Sequence, residues 1–301
     1  MQQLQATLSM LLLVSGLSAL ADRAEPTMLP VEDLAPDLHR LLAGEAGCVL
    51  VYDTPEGRVV VDTADAAAQP ALVATLRQLG EKPVRWVINT HYHDDHIAGN
   101  AALRAIGAVL VGHANLAREA RKALTVKEWD WHRKPADEAS LPQVEIHGRT
   151  DFGLGGHRIE ITVAPRAHTD TDLMIWFPDA NTVHMGDILE VGGPLFIDQW
   201  AGGSLEGVLA AIDSVLARAD AETRIIPGHG KVVRKPELEA YRHMLVDVST
   251  KVDAAIAAGL SAQEIVDAGL AAPYEEAVGG PVAGKRLVYT IYLDRTLEPK
   301  S

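Results

Sequence analysis

The stretch Thr90–Asn100, THYHDDHIAGN, crowds three histidines and two aspartates into the six residues His91–His96 and then runs straight into Gly99. On a strand end, the two-residue spacing of His91 and His93 puts both imidazoles on one side, while Asp95 and His96 lie further into the turn and face a second point. Imidazole nitrogen and carboxylate oxygen are donors that zinc accepts. One cluster this short cannot complete two coordination spheres, so a chain using it needs donors from elsewhere. The second half supplies three, each just past an expected strand: His168 in AHTD, Asp187 in MGD and His229 in PGHG. Glycines beside Asp187 and on both sides of His229 allow turns tight enough to aim a side chain inward.

The chain around these motifs has the rhythm of a layered α/β fold. Cys48–Tyr52 and Arg58–Asp62 read as strands around a Pro/Gly turn, followed by a helix over 66–79 closed by Gly80. Val84–Asn89 (VRWVIN) is a strand that delivers the chain into His91, and a helix over 98–106 leads to a strand at 108–111. The polar stretch 114–141, with Trp129 and Trp131, reads as a helix passing into a loop. A second series repeats the layout without residue-level identity. Its turn-rich connection at 151–156 leads to strands at 158–163, 173–177 and 182–185, with Pro165 expected to turn the chain toward His168. A helix over 204–217, N-capped by Ser204, precedes a strand at 224–227. Helices near 236–258, 261–268 and 283–293 close the chain.

Composition narrows the partners. With 41 acidic against 27 basic residues the formal net charge is −14, which opposes attraction to nucleic acid or anionic lipid. Leu8–Leu20 is apolar but short for a membrane span, and Ala19-Leu20-Ala21 suits a signal peptidase. Residues 1–21 therefore read as an export signal, with an amino-terminal helix as the other reading. A single domain over 22–301 is expected to work in the periplasm or outside the cell, with no stable membrane insertion after signal removal. The lone cysteine, Cys48, excludes intrachain disulfides and cysteine zinc fingers, and it reads as a core residue.

The HxHxDH cluster at His91–His96, followed in order by His168, Asp187 and His229, resembles the metallo-β-lactamase fold superfamily of metal-dependent hydrolases, over about residues 45–230. The resemblance implies a four-layer αββα sandwich of two similar halves, with the metal site at one edge between the sheets. It also implies one zinc on His91, His93 and His168 and a second on Asp95, His96 and His229. Asp187 and a water or hydroxide would bridge them, and Asp95 would orient that nucleophile and help protonate the leaving group. Iron or manganese suits the same donors.

The substrate implied is a small molecule with an ester, lactone or amide carbonyl. Zinc β-lactamases of the superfamily mostly carry Cys or Ser where this chain keeps Asp187, so a dedicated or promiscuous β-lactamase is one alternative. A glyoxalase II-like thioesterase, an iron-dependent redox enzyme and a non-catalytic zinc-binding relative are others. Gly192–Gly203 (GGPLFIDQWAGG), with Phe196, Asp198 and Trp200, is expected to line the pocket mouth. Trp129 and Trp131 read as packing residues, and Asp170 and Asp172 as carboxylates supporting the free ring nitrogen of His168. His39, His113, His132, His147, His157, His184 and His243 lack motif support and read as structural.

Overall fold

A computed structural model describes residues 27–44, 47–164 and 166–297; the expected export signal and Pro165 lie outside them. The strands are β1 (Val31–Ala35), β2 (Leu38–Leu42), β3 (Cys48–Thr54), β4 (Gly57–Val61), β5 (Val84–Ile88), β6 (Val109–His113), β7 (Leu124–Val126), β8 (Trp131–Arg133), β9 (Val144–Ile146), β10 (Thr150–Leu154), β11 (His157–Val163), β12 (Leu173–Phe177), β13 (Thr182–His184) and β14 (Arg224–Ile226). The helices are α1 (Gln69–Gln78), α2 (Asp94–Ile97), α3 (Asn100–Ala105), α4 (Leu116–Ala120), α5 (Leu205–Arg218), α6 (Lys235–Ala257), α7 (Ala262–Asp267) and α8 (Pro281–Thr296).

Two sheets carry the fold, one in the order β1-β2-β3-β4-β5-β6-β9 and one in the order β10-β11-β12-β13-β14. Their central strands are buried on both faces, which is why β3, β4 and β12 read as nearly unbroken apolar runs. Alternation still assigns each residue a side. Leu50, Tyr52 and Val59 join Leu173, Ile175 and Phe177 in the core between the sheets. Val49, Val51 and Val60 face outward onto Leu72 and Leu76 of α1. On the far side Met174 and Trp176 face Val208 and Ile212 of α5 and Leu245 of α6. Helix, sheet, sheet, helix is the resulting order of layers, as expected from the motifs.

The two halves share a pairing pattern. From β1 to β5 the pairs are antiparallel three times and then parallel, and β10 to β14 repeat that series. The parallel step is bridged by α1 in the first half and α5 in the second. Ser204 caps α5 as its sequence suggests, its hydroxyl accepting from the Gly207 amide at 3.1 Å.

Residues 31–42, which the sequence left unassigned, form the antiparallel pair β1–β2 at one edge of the first sheet. Several expectations need correction. The region expected to pass from helix to loop holds the short α4 and a separate hairpin, β7–β8. The connection at 151–156 is largely the edge strand β10. The helix expected over 98–106 starts earlier and is broken at Ala98–Gly99, giving α2 and α3. A Cβ at Gly99 would sit 2.6 Å from the Thr63 carbonyl oxygen, so the break brings the chain against the end of β4.

Candidate metal centre

The site forms where β4, β5, β13 and β14 deliver their chain ends to one edge of the sandwich. Past β5, Asn89 and Asn100 lock the histidine turn. The Asn89 amide donates to the His96 carbonyl at 2.9 Å, and the Asn100 amide donates back to Asn89 Oδ1 at 2.8 Å. Past β13, Gly186 sits at φ 53°, and a Cβ there would stand 2.8 Å from Thr90 Cβ. Only glycine suits both constraints. Past β14, any Cβ at Gly228 would overlap the Asp187 carboxylate.

All seven residues singled out in the sequence converge in two groups that share one member. His91, His93, His168 and Asp187 form the first; Asp95, His96, Asp187 and His229 form the second. In the first, His91 Nε2 and His168 Nε2 each lie 3.0 Å from His93 Nδ1. In the second, Asp95 Oδ2 lies 3.4 Å from His96 Nε2 and 3.1 Å from His229 Nε2. Asp187 faces both groups, with Oδ1 3.3 Å from His96 Nε2 and Oδ2 3.7 Å from His91 Nε2.

The far nitrogen of four of these imidazoles is already engaged. His91 Nδ1 meets Thr90 Oγ1 at 3.1 Å, His93 Nε2 meets Asp198 Oδ2 at 3.1 Å, His96 Nδ1 meets Asp62 Oδ2 at 2.8 Å, and His168 Nδ1 donates to the Phe196 carbonyl at 2.8 Å. In the first group a hydroxyl, carboxylate or carbonyl oxygen takes the ring proton, so the nitrogen facing the cluster is left with a bare lone pair. Lone pairs 3.0 Å apart repel unless a cation lies between them. His96 Nε2 and Asp187 Oδ1 are moreover buried with no hydrogen-bond partner among the described residues, a costly arrangement for polar atoms that lack a metal. The donor set fits a divalent cation in each group.

Charge divides the groups. Burial and the neighbouring imidazoles hold His91 well below its ordinary range and His168 at about 4. Burial also opposes charge on His96 and His229, but the carboxylates outweigh it. Asp95 and Asp187 push His96 well up, and Asp187 pushes His229 to about 11. His91 and His168 are thus neutral imidazoles at pH 7, whereas His96 and His229 hold protons that a cation must displace.

Sequence reasoning missed Asp62. It is fully buried at φ 61° and accepts from the Thr90 amide at 2.8 Å and the Thr90 hydroxyl at 2.7 Å besides holding His96. The repeated pairing offered a signal, since Asp62 stands just past β4 as Asp187 stands past the equivalent β13. Asp198, expected at the pocket mouth, lies fully buried behind His93, where it also accepts from the Tyr92 hydroxyl. Asp170 and Asp172 do not touch the His168 ring. Asp170 pairs with Arg118, and Asp172 accepts from the Thr169 amide at 2.9 Å. These carboxylates sit on the wrong side of the loop, and a backbone carbonyl takes the place assigned to them.

A cleft of about 470 Å³ opens over the two groups. Phe196 lines it as expected, but Trp200 does not; Trp129 and Trp131, read as packing residues, form its wall instead. The hairpin β7–β8 brings them there, with the Trp131 ring 5.3 Å from His93 and 6.0 Å from Phe196 between centroids. Glu190 faces the same space, its carboxyl pushed up to about 8 by burial and by Asp187.

An αββα sandwich with paired histidine and aspartate groups at the edge between its sheets defines a metal-dependent hydrolase fold and site. The chain belongs to the metallo-beta-lactamase superfamily, whose family model matches residues 44–229. It is 24% identical over 184 residues to a metallo-beta-lactamase type 2 from Bacillus sp. (strain 170), covering 61% of this chain and 66% of that protein. It is 29% identical over 217 residues to a hydroxyacylglutathione hydrolase from Anaeromyxobacter dehalogenans (strain 2CP-C), covering 67% of this chain and 69% of that one. Among solved structures it is similar to the stereoselective inverting sec-alkylsulfatase from Pseudomonas sp., with a TM-score of 0.64 at 15% identity. That match takes in 89% of this chain and 50% of the sulfatase, and at that identity it speaks for the fold. The chain thus spans half to two thirds of the length of most of these proteins.

Proposed function

We propose that the chain is an exported dinuclear zinc hydrolase acting on the carbonyl of a small-molecule ester, lactone or amide, β-lactams included. The observation that carries this reading is Asp187, the one residue common to both groups of donors, with Oδ1 beside His96 and Oδ2 among His91, His168 and His229. His91, His93 and His168 would hold one cation, Asp95, His96 and His229 the other, and Asp187 both. When bound, such a pair supplies a water acidified toward neutral pH and a Lewis acid for the acyl oxygen.

The protein's own groups do the rest. Trp131 and Phe196 wall the cleft with apolar surface that orients an acyl group and excludes bulk water. Asp95 turns its Oδ2 toward the donor group, 3.1 Å from His229, and borders the cleft, so its other oxygen is the one placed to accept and return a proton. No protein nucleophile is needed, and Cys48 is buried away from the cleft. Among the described residues no helix is long and apolar enough to cross a membrane, which is compatible with an exported protein.

The test is a panel of a chromogenic β-lactam, a lactone, an aryl ester, a thioester and an alkyl sulfate ester, offered to the purified chain loaded with zinc, iron or manganese. The last two represent the chemistries named for the relatives. Turnover of carbonyl substrates that needs zinc supports the reading. Turnover of the sulfate ester alone, or with iron alone, would replace it.

A further inference from the structure

The cleft is lined by charge that the two donor groups do not use. Outside those groups its charged residues are Asp94, Glu190 and Arg286, and none of the three forms an ion pair with a described residue. Arg286 lies with its guanidinium carbon 6.0 Å from the Trp129 ring centroid, and Asp94 is exposed. Glu190 differs from both, because it is half-buried in the cleft wall next to the second donor group. Its backbone is fixed there by an isolated bridge to His229, in which the Val191 amide donates to the His229 carbonyl at 3.1 Å.

The chain leaves room for this carboxyl group. A Cβ at Gly193 would stand 2.6 Å from Glu190 Oε1, and Gly193 has no positive φ, so glycine serves space here and not a turn. Yet the Glu190 side chain makes no hydrogen bond to a described residue and belongs to neither group of metal donors. Its oxygens are not sealed off, as His96 Nε2 and Asp187 Oδ1 are, and they open on the cleft. Burial and the charge of Asp187 push the carboxyl up. Cations held by the donor groups offset the charge of Asp187, which leaves Glu190 a carboxylate. A half-buried carboxylate without a donor is costly, more so once an occupant of the cleft displaces its water.

We propose that Glu190 is the specificity-determining residue of the cleft, and that the preferred substrates carry an ammonium group near the scissile carbonyl. The ammonium donates to the Glu190 carboxylate, and the apolar part of the acyl group lies against Trp131 and Phe196. A neutral isostere leaves the carboxylate unpaired and dry, so the site rejects it. This rests on the hydrolase reading above and names the class of substrate for it.

The experiment compares 4-nitrophenyl esters of 3- and 4-(aminomethyl)benzoic acid with those of 3- and 4-ethylbenzoic acid, their neutral isosteres. Each kcat/KM is divided by the hydroxide rate constant of the same ester, which removes the electronic effect of the substituent. For the zinc-loaded wild type the ammonium ester of at least one position exceeds its isostere by about tenfold, the size of one charge-assisted hydrogen bond. Glu190→Gln brings that ratio to about one, Glu190→Lys inverts it, and Glu190→Asp keeps part of it. Gly193→Ala lowers it by pressing on the carboxyl group. Asp94→Asn, which removes the other unpaired carboxylate of the cleft, leaves the ratio in place. Equal falls in Asp94→Asn and Glu190→Gln would assign the preference to the general field of the cleft and overturn the inference.

Calorimetric titration with the (aminomethyl)benzoates, against the ethylbenzoates, reads the contact without turnover. Tighter binding of an ammonium acid than of its isostere to the wild type, lost in Glu190→Gln, supports the inference. Equal binding of the ammonium acid to wild type and variant overturns it. Elemental analysis of Glu190→Gln shows the metal content of the wild type; a loss of metal would make Glu190 a support of the donor groups and overturn the assignment. If the wild type hydrolyses no ester, the hydrolase reading falls and the calorimetry still decides the contact. If it hydrolyses ammonium and neutral esters equally, or keeps its preference in Glu190→Gln, the inference falls and the hydrolase reading stands.

Discussion

Four imidazoles of the site are gripped by one nitrogen and offer the other, and their grips come from outside the motif. Asp198 reaches His93 across 105 residues of sequence and Asp62 reaches His96 across 34. Replacing Asp198 by Asn removes the charge that orients His93 and is expected to weaken metal affinity about 10- to 100-fold, measured by chelator competition. Unchanged affinity would mean that Asp198 serves only Tyr92. A pH dependence follows from the second group. His96 and His229 are held above their ordinary values by carboxylates, so they carry protons at neutral pH that a cation must displace. Metal affinity is therefore expected to rise with pH between about 6 and 9, with proton release visible by calorimetry in buffers of different ionisation enthalpy. Affinity that does not change over that range would contradict the assignment. The seven cluster residues were legible because their spacing and strand-end positions are local features. Asp62, Asp198 and the Phe196 carbonyl were not, because their partners are brought near only by the fold.

At the scale of elements, burial on both faces decided what could be read. The central strands β3, β4 and β12 announce themselves as apolar runs, and α5 by its cap. The edge strands β1 and β10, and β2 beside β1, mix charged and apolar residues because one side meets water, and their sequences resemble loops. The hairpin β7–β8 is three residues a side within KEWDWHRKP, and nothing local marks it as the wall of the cleft. Its placement puts Trp131, and not Trp200, on the wall of the cleft. Trp131→Ala is expected to lower kcat/KM about tenfold for substrates with aromatic or long acyl groups, leave metal content unchanged and affect small acetyl esters least. Equal losses across acyl groups would show that the ring supports the site without meeting the substrate.

Across the whole molecule, two halves with the same strand pairing each send chain ends to one edge, and neither holds a complete donor set. The first half contributes His91, His93, Asp95 and His96; the second contributes His168, Asp187 and His229. The layered α/β fold was legible from the rhythm of elements and the αββα arrangement from the family resemblance that the motifs carry, whereas the continuation of the cleft toward α8 depends on how helices pack over the second sheet. The shared Asp187 is the point where both halves and both donor groups meet. Elemental analysis of the purified chain beside Asp187→Ala tests this most directly. The account predicts about two divalent cations per chain in the wild type and the loss of one or both in the variant. A wild type that binds no divalent cation, or an Asp187→Ala protein that retains two, would contradict it.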